Sequence, residues 1–148
     1  MTDTTRILDV GCGSGILGML ALKFGAAYAV GTDLDPCAID ATHENMKENG
    51  VPKEQYEVMI GNIIDDKAIQ DQVGYACYDI VAANILADVL VMLTPVIVSQ
   101  LKQVAFTLRV ESSRQGRSCK TGGSRCWPGA FRCDLPGRVG LCYGQKSE

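Results

Sequence analysis

The chain has 148 residues, of which 47% are hydrophobic and 21% charged, and its formal net charge at pH 7 is −3. This length and composition are typical of one small globular domain, and the slight negative charge does not favour a direct nucleic-acid partner. Apolar runs stay short of membrane-spanning length and the first residues lack a signal-peptide pattern, so we predict a cytoplasmic protein without a membrane partner.

The first 102 residues alternate between apolar runs and helical patterns. The runs predict strands at residues 6–10, 27–32, 55–60 and 79–83. The helical patterns predict helices at residues 14–24, 36–49, 65–72 and 85–102, the last with a kink at Pro95. Alternation at this rhythm predicts an α/β fold of parallel βαβ units with right-handed crossovers, in a Rossmann-like sheet.

A glycine-rich loop follows the first predicted strand, within the sequence ILDVGCGSGIL that begins at Ile7. Its spacing, D-x-G-x-G-x-G from Asp9 to Gly15, is typical of the S-adenosylmethionine loop of class I methyltransferases; a dinucleotide fingerprint spaces its third glycine differently. We predict that the cofactor's methionine end passes close to the bare backbone at Gly11 and Gly13. Amides at the start of the next helix are expected to be unpaired and to bind the ligand. Asp9 is expected to face the cofactor's ammonium group, directly or through water. The alternative is a generic tight turn between a strand and a helix.

A second acidic position follows the next predicted strand. Asp33 comes about 20 residues after the loop, where an acid at a strand tip binds ribose hydroxyls. A carboxylate has two acceptor oxygens, which suits a vicinal diol. Asp35 precedes Pro36, and this pair is typical of a helix start, so Asp35 is assigned to the cap and Asp33 to the ribose. NAD remains the competing ligand.

Asn84 is predicted at the carboxyl end of the fourth strand, beside the expected cofactor crevice. The segments DVGCGSGIL, GTDLDPCAI and ANILADVL closely resemble the bacterial ribosomal protein L11 methyltransferase family, over roughly the first hundred residues. The resemblance implies a class I, S-adenosylmethionine-dependent methyltransferase that modifies lysine and N-terminal amines of that ribosomal protein. It places cofactor contacts at Gly11, Asp33 and Asn84. It also implies an upstream threonine contact and an N-terminal substrate-recognition domain, both expected to lie outside this chain.

The resemblance implies in-line attack of a neutral amine on the methyl carbon, and no residue is assigned as a catalytic base. A non-catalytic cofactor-binding fragment and a small-molecule or RNA methyltransferase remain alternatives. His43 is predicted on the surface of a helix, and Cys12 as a small packing residue. Whether Gly61 and Asn62 contact adenine is left open. The seven cysteines are scattered and form no C-x-x-C pair, so we predict no metal site and a reducing compartment.

The chain changes character after Lys102. Residues 1–102 contain six basic and fourteen acidic side chains, whereas residues 103–148 contain eight basic and three acidic. We therefore divide the chain into a cofactor-binding methyltransferase core at 1–102 and an off-pattern basic tail at 103–148. An RNA-binding arm and a metal-binding tail are two interpretations of the tail, although the spacing of its cysteines fits no usual zinc pattern. Those cysteines are Cys119, Cys126, Cys133 and Cys142.

We favour a third interpretation, in which the tail is a frameshifted translation. Permitted codons for residues 103–113, read in another frame, can spell GGIYITSGII, a glycine turn and an apolar strand. Codons for residues 136–146, in a second alternative frame, can spell QGEWVCAMGK, which resembles the family's last strand. The sheet is then expected to be incomplete, with strands one to four and their helices only. The fourth strand would be an open edge, the tail disordered or wrongly packed, and the product prone to aggregate.

Overall fold

The computed structural model describes residues 1–102, together with the backbone of residues 130–135 and 139–144. Strands and helices alternate through the first segment, as the sequence predicts. In chain order they are β1 (Arg6–Val10), α1 (Ile16–Lys23), β2 (Tyr28–Asp33), α2 (Cys37–Glu48), β3 (Tyr56–Ile60), α3 (Lys67–Val73), β4 (Ile80–Ala83) and α4 (Ala87–Gln100). Within these segments no helix is long and apolar enough to cross a membrane. The α/β class is confirmed.

The four strands form one parallel sheet in the order β3-β2-β1-β4. Leu8 of β1 pairs with Val30 of β2 on one side and with Val81 of β4 on the other. β1 is therefore an inner strand, and the carboxyl ends of all four strands lie at one edge. Outside β4, Leu101 forms a parallel bridge with Tyr78, so the chain after α4 returns beside the start of this strand.

Both faces of the sheet are covered, because successive side chains of a strand point to opposite faces. Ile7 of β1 packs in a cluster with side chains of α1 and α2, whereas Leu8 packs in a second cluster with side chains of α3 and α4. The continuous apolar runs of the strands follow from this two-sided burial. The helices cover the two faces of the sheet, and the loops that follow the strands lie at its carboxyl edge.

The helix ends differ from the prediction by one or two residues. α1 begins at Ile16 instead of residue 14, because Gly15 adopts a left-handed conformation with φ of 72°. α4 runs from Ala87 to Gln100 and includes Pro95. Pro95 has no amide hydrogen to donate, yet the helix continues past it.

Two strands that the sequence prediction did not contain lie in the tail. β5 (Ala130–Leu135) and β6 (Val139–Gly144) pair as an antiparallel hairpin. The sequence does carry a signal, since the turn dipeptide Pro136–Gly137 separates two runs of alternating apolar residues. The prediction of a disordered or wrongly packed tail covers all of residues 103–148, and apart from the two strands these residues lie outside the described ones.

Candidate functional site

The loop between β1 and α1 depends on three glycines with left-handed backbone. The φ angles of Gly11, Gly13 and Gly15 are 69°, 52° and 72°. Side chains rarely adopt this conformation, so glycine is required. A Cβ atom at Gly13 would meet no heavy atom within 4 Å, whereas one at Gly11 would lie 2.7 Å from Cγ2 of Ile85. The backbone at Gly13 therefore borders open space, as the prediction of a bare backbone beside a ligand requires.

Four amides of this loop are already hydrogen-bonded, whereas the prediction of unpaired amides concerns the start of α1. The amides of Gly11 and Cys12 donate to the carbonyl oxygen of Thr32, at 2.8 and 3.1 Å. The amide of Gly13 donates to Oδ2 of Asp33 at 2.8 Å, and that of Gly15 to the carbonyl oxygen of Cys12 at 2.8 Å. The loop is thus tied to the end of β2, and its shape is set before any ligand arrives.

Asp33 lies at the tip of β2 and is partly buried. Besides the bond from Gly13, its Oδ1 accepts the amide of Asp35 at 2.9 Å. Each carboxylate oxygen keeps a further lone pair, so these two bonds leave acceptor capacity for a diol. Asp35 in turn accepts the amide of Cys37 at 2.9 Å from just before α2, whose N-cap is Pro36, one residue later than the predicted Asp35.

A cavity of about 400 Å³ lies at the carboxyl edge of the sheet. It brings together the glycine loop, the end of β2, the loop after β3 and the start of α4. Its lining residues are Val10, Gly11, Thr32, Asp33, Leu34, Gly61, Asn62, Ile63, Ile64, Ile85, Leu86, Val89 and Leu93. Two of the five predicted cofactor-binding residues, Gly11 and Asp33, are among them.

Asp9 does not line the cavity, although the next residue, Val10, does. The side chain of Asp9 is almost fully buried, and Oδ2 accepts both the Gly18 amide at 3.0 Å and the Tyr56 hydroxyl at 3.1 Å. Burial raises the pKa of Asp9 to about 6, and these two hydrogen bonds partly oppose that rise. Its predicted contact with the cofactor's ammonium group stays a prediction.

Asn84 directly follows β4 and is exposed. The next two residues, Ile85 and Leu86, line the cavity, whereas Asn84 does not. Its predicted role stays a prediction as well. Asn62 lines the cavity, but its side chain already bonds within its own turn, donating to Asp65 and accepting from the amide of Ile64.

Two residues that the sequence did not single out belong to the same region. The hydroxyl of Thr32 is buried and has no hydrogen-bond partner among the described residues, although Thr32 lines the cavity. The signal was a polar residue within the otherwise apolar run of β2. Tyr56 is also buried, and its hydroxyl reaches Asp9 across the sheet. Its partner is 47 positions away, so no local pattern shows the contact.

Cys12 and His43 were predicted to lie outside the functional machinery, as a packing residue and a surface residue. Cys12 is buried, and this burial raises the pKa of its thiol to about 12, as suits a packing residue. His43 is partly exposed on α2, which confirms its predicted surface position. In the part of the chain that the structure describes, no group of three or more histidine, cysteine or acidic side chains could hold a metal ion.

Comparison with known proteins identifies a family. The family model described as Ribosomal protein L11 methyltransferase (PrmA) matches residues 1–108. A protein named ribosomal protein L11 methyltransferase from Lachnospira eligens is 59% identical over 104 residues, which is 70% of this chain and 33% of that protein. The chain thus spans about a third of the length of the curated relatives it matches.

Two solved structures share the fold. The ribosomal protein L11 methylase from Lactobacillus delbrueckii subsp. bulgaricus is 33% identical, with a TM-score of 0.55 over 65% of this chain and 45% of that one. An RNA methyltransferase from Salinibacter ruber, in complex with S-adenosyl-L-homocysteine, is 25% identical, with a TM-score of 0.56 over 68% of this chain and 60% of that one. The sheet described above is therefore a class I methyltransferase sheet.

Proposed function

The chain belongs to the ribosomal protein L11 methyltransferase family, and from this premise we propose that residues 1–102 form an S-adenosylmethionine-binding methyltransferase core. The observation that carries the proposal is the cavity at the carboxyl edge of the sheet, where Gly11 and Asp33 meet. Ligands of open α/β sheets bind at this edge. A volume of about 400 Å³ lies within the usual range for small-molecule sites.

The residues present fit a sulfonium nucleoside. The backbone at Gly13 borders open space, which leaves room for the amino-acid half of the ligand. Asp33 retains lone pairs for the ribose hydroxyls. Leu34, Ile63 and Ile85 give the cavity apolar walls that suit a flat adenine ring. The cavity also borders Thr32, whose buried hydroxyl lacks a partner among the described residues.

In the proposed reaction, the bound cofactor supplies a methyl group from a positively charged sulfur. The sulfur is a good leaving group because it departs as a neutral thioether. The protein's task is then mainly to position the two reactants. The attacking amine must be neutral, because an ammonium group has no lone pair. Asn84 is exposed directly beside the cavity-lining Ile85, and we assign its carboxamide oxygen to orienting the amine.

The proposed substrate is ribosomal protein L11, through its lysine and N-terminal amines, as the family's name and resemblance indicate. The family's further domain would recognise that protein, and the core would supply the methyl group.

Calorimetry with S-adenosylhomocysteine tests the cofactor proposal. We expect the 148-residue chain to bind it, and Asp33→Asn to weaken binding by about 10-fold or more, since hydrogen bonds to charged groups contribute about 1.5–3 kcal/mol. Asp71→Asn is the matched control, because Asp71 is an exposed acid on α3 that pairs with Lys67. Binding of NAD in preference to S-adenosylhomocysteine would contradict the proposal.

A transfer assay tests the catalytic part. Radiolabelled methyl groups from S-adenosylmethionine are expected on purified ribosomal protein L11, with ribosomal RNA as the competing acceptor. Label on RNA alone would favour the alternative of an RNA methyltransferase, which the Salinibacter ruber likeness supports. Cofactor binding without transfer would identify a non-catalytic binding fragment.

A further inference from the structure

The side chain of Tyr56 occupies the space beneath the glycine loop. Tyr56 lies on β3 and is only 2% exposed. A Cβ atom at Gly15 would lie 3.0 Å from the Tyr56 ring, one at Gly18 would lie 2.6 Å from it, and one at Gly31 would lie 3.0 Å from the hydroxyl. Glycines in three segments therefore border this phenol, together with Thr42 at Gly15 and Cys12 at Gly31, while at Gly18 the nearest atoms all belong to the phenol.

The hydroxyl of Tyr56 reaches the loop's buried acid. It donates to Oδ2 of Asp9 at 3.1 Å, and the same oxygen accepts the amide of Gly18 at 3.0 Å. Gly15, the residue before α1, has no side chain with which to cap the helix. Asp9 therefore takes over the cap from β1, and Tyr56 holds Asp9 in the orientation that this requires.

The loop is also held from α2. The hydroxyl of Thr42 donates to the carbonyl oxygen of Gly13 at 3.1 Å, and the side-chain amide of Asn45 donates to that of Ser14 at 3.0 Å. These two bonds hold the outer half of the loop, whereas the contacts of Tyr56 hold its base. The ring of Tyr56 packs against glycines, whereas its hydroxyl bonds to Asp9. A phenylalanine at this position would therefore remove the hydroxyl contact and keep the ring.

We propose that Tyr56 is a positioning residue for the cofactor loop: its hydroxyl orients Asp9, and Asp9 fixes the start of α1 so that residues 11–15 keep their ligand-binding shape. The ligand part of this inference rests on the function proposed above. Tyr56 does not line the cavity, so it acts through Asp9 and the loop backbone.

A pH profile distinguishes this role from simple packing. The titratable groups that face Asp9 are Tyr56 on β3, Cys12 in the loop and Asp33 at the end of β2. Burial is the main cause that raises the pKa of Tyr56 and of Cys12, so neither group titrates near pH 6. Because the Tyr56 hydroxyl stabilises the ionised form of Asp9, its removal moves the acid limb of ligand binding to higher pH.

The test compares Tyr56→Phe with Tyr78→Phe in the 148-residue chain. Tyr78 is equally buried, and its hydroxyl donates to the carbonyl oxygen of Val73 at 2.8 Å, within the other core cluster. Both variants lose one buried hydroxyl, but only Tyr56→Phe should change the loop. We expect the Kd for S-adenosylhomocysteine at pH 7 to rise about 3- to 10-fold in Tyr56→Phe, the equivalent of one net hydrogen bond. The acid midpoint should also move upward, and Tyr78→Phe should leave both quantities unchanged.

Amide hydrogen exchange on residues 10–18 supplies a ligand-free measurement. Exchange there should be at least about 3-fold faster in Tyr56→Phe than in Tyr78→Phe, as one lost hydrogen bond implies. Asp9→Asn is a second variant that keeps the test available if Tyr56→Phe fails to fold, and it should remove the acid limb near pH 6. Equal exchange in the two tyrosine variants, or an acid limb near pH 6 that persists in Asp9→Asn, would overturn the proposal. If the parent chain binds no ligand while loop exchange still rises in Tyr56→Phe, the positioning role holds and the proposed function fails.

Discussion

Substituting Thr32 with valine should make the protein more stable. Thr32 is 1% exposed, and its hydroxyl has no partner among the described residues. A buried polar group without a partner costs about 1–3 kcal/mol, and valine has nearly the same shape without the hydroxyl. We expect the free energy of unfolding to increase by about 1 kcal/mol, measured by urea denaturation of the ligand-free chain.

Thr42→Val is the matched control for this prediction. Thr42 is 0% exposed, but its hydroxyl donates to the Gly13 carbonyl oxygen at 3.1 Å. Valine at position 42 leaves that oxygen unpaired, so the free energy of unfolding should fall by about 1 kcal/mol or more. The opposite signs of the two changes are the decisive result. A Thr32→Val variant less stable than the parent would show that the hydroxyl has a partner, such as a water in the cavity, and would refute the reasoning.

Four further predictions concern Gly18, Asp9, the surface of α4 and the tail. Gly18→Ala should lower the free energy of unfolding by about 1–2 kcal/mol in urea denaturation, because overpacking against the phenol ring outweighs the helix propensity gained. The folded-state pKa of Asp9 is raised from 3.8 to about 6, so its contribution to stability is fully present below pH 3.8 and is lost as the pH rises through about 6. Asp9→Asn should remove that part of the pH dependence, measured by urea denaturation between about pH 4 and 7. Val91 and Met92 are 72% and 57% exposed, so size-exclusion chromatography should show self-association, and a monomeric chain that unfolds cooperatively would contradict this. DNA sequencing should reveal an insertion or deletion near the codons for residues 103–148, and an intact reading frame would exclude the frameshift.

The strands and their neighbours could be predicted because their burial is visible in the sequence. A parallel strand covered on both faces is mostly apolar, and β1 begins and ends at the predicted residues. The glycine loop could also be predicted, since only glycine readily adopts a left-handed backbone at three positions within five residues. The place of Asp35 just before α2 could be predicted to within one residue, as its bond to Cys37 joins near neighbours in the chain.

The hydrogen bonds of the site were less predictable, because their donors come from distant parts of the chain. The sequence does not show that Thr32 and Asp33 accept the amides of Gly11, Cys12 and Gly13. Asp9 was assigned to the ligand because of its place in the motif. Alternation along β1 places Asp9 on the same face as Ile7, and its carboxylate accepts the amide of Gly18 on α1.

Asp9 and Asp33 therefore have different roles, although the sequence motifs alone place both beside the ligand. Both accept an amide of the segment after β1, but only Asp33 lines the cavity. Burial is the main cause of the raised pKa of Asp9, and the charge of Asp33 adds to it. Burying a carboxylate beside another is costly unless hydrogen bonds stabilise its charge, and the bonds from Gly18 and Tyr56 do so for Asp9. The loop's shape is thus maintained against an electrostatic cost, and a ligand with a positive charge near Asp33 would reduce that cost on binding.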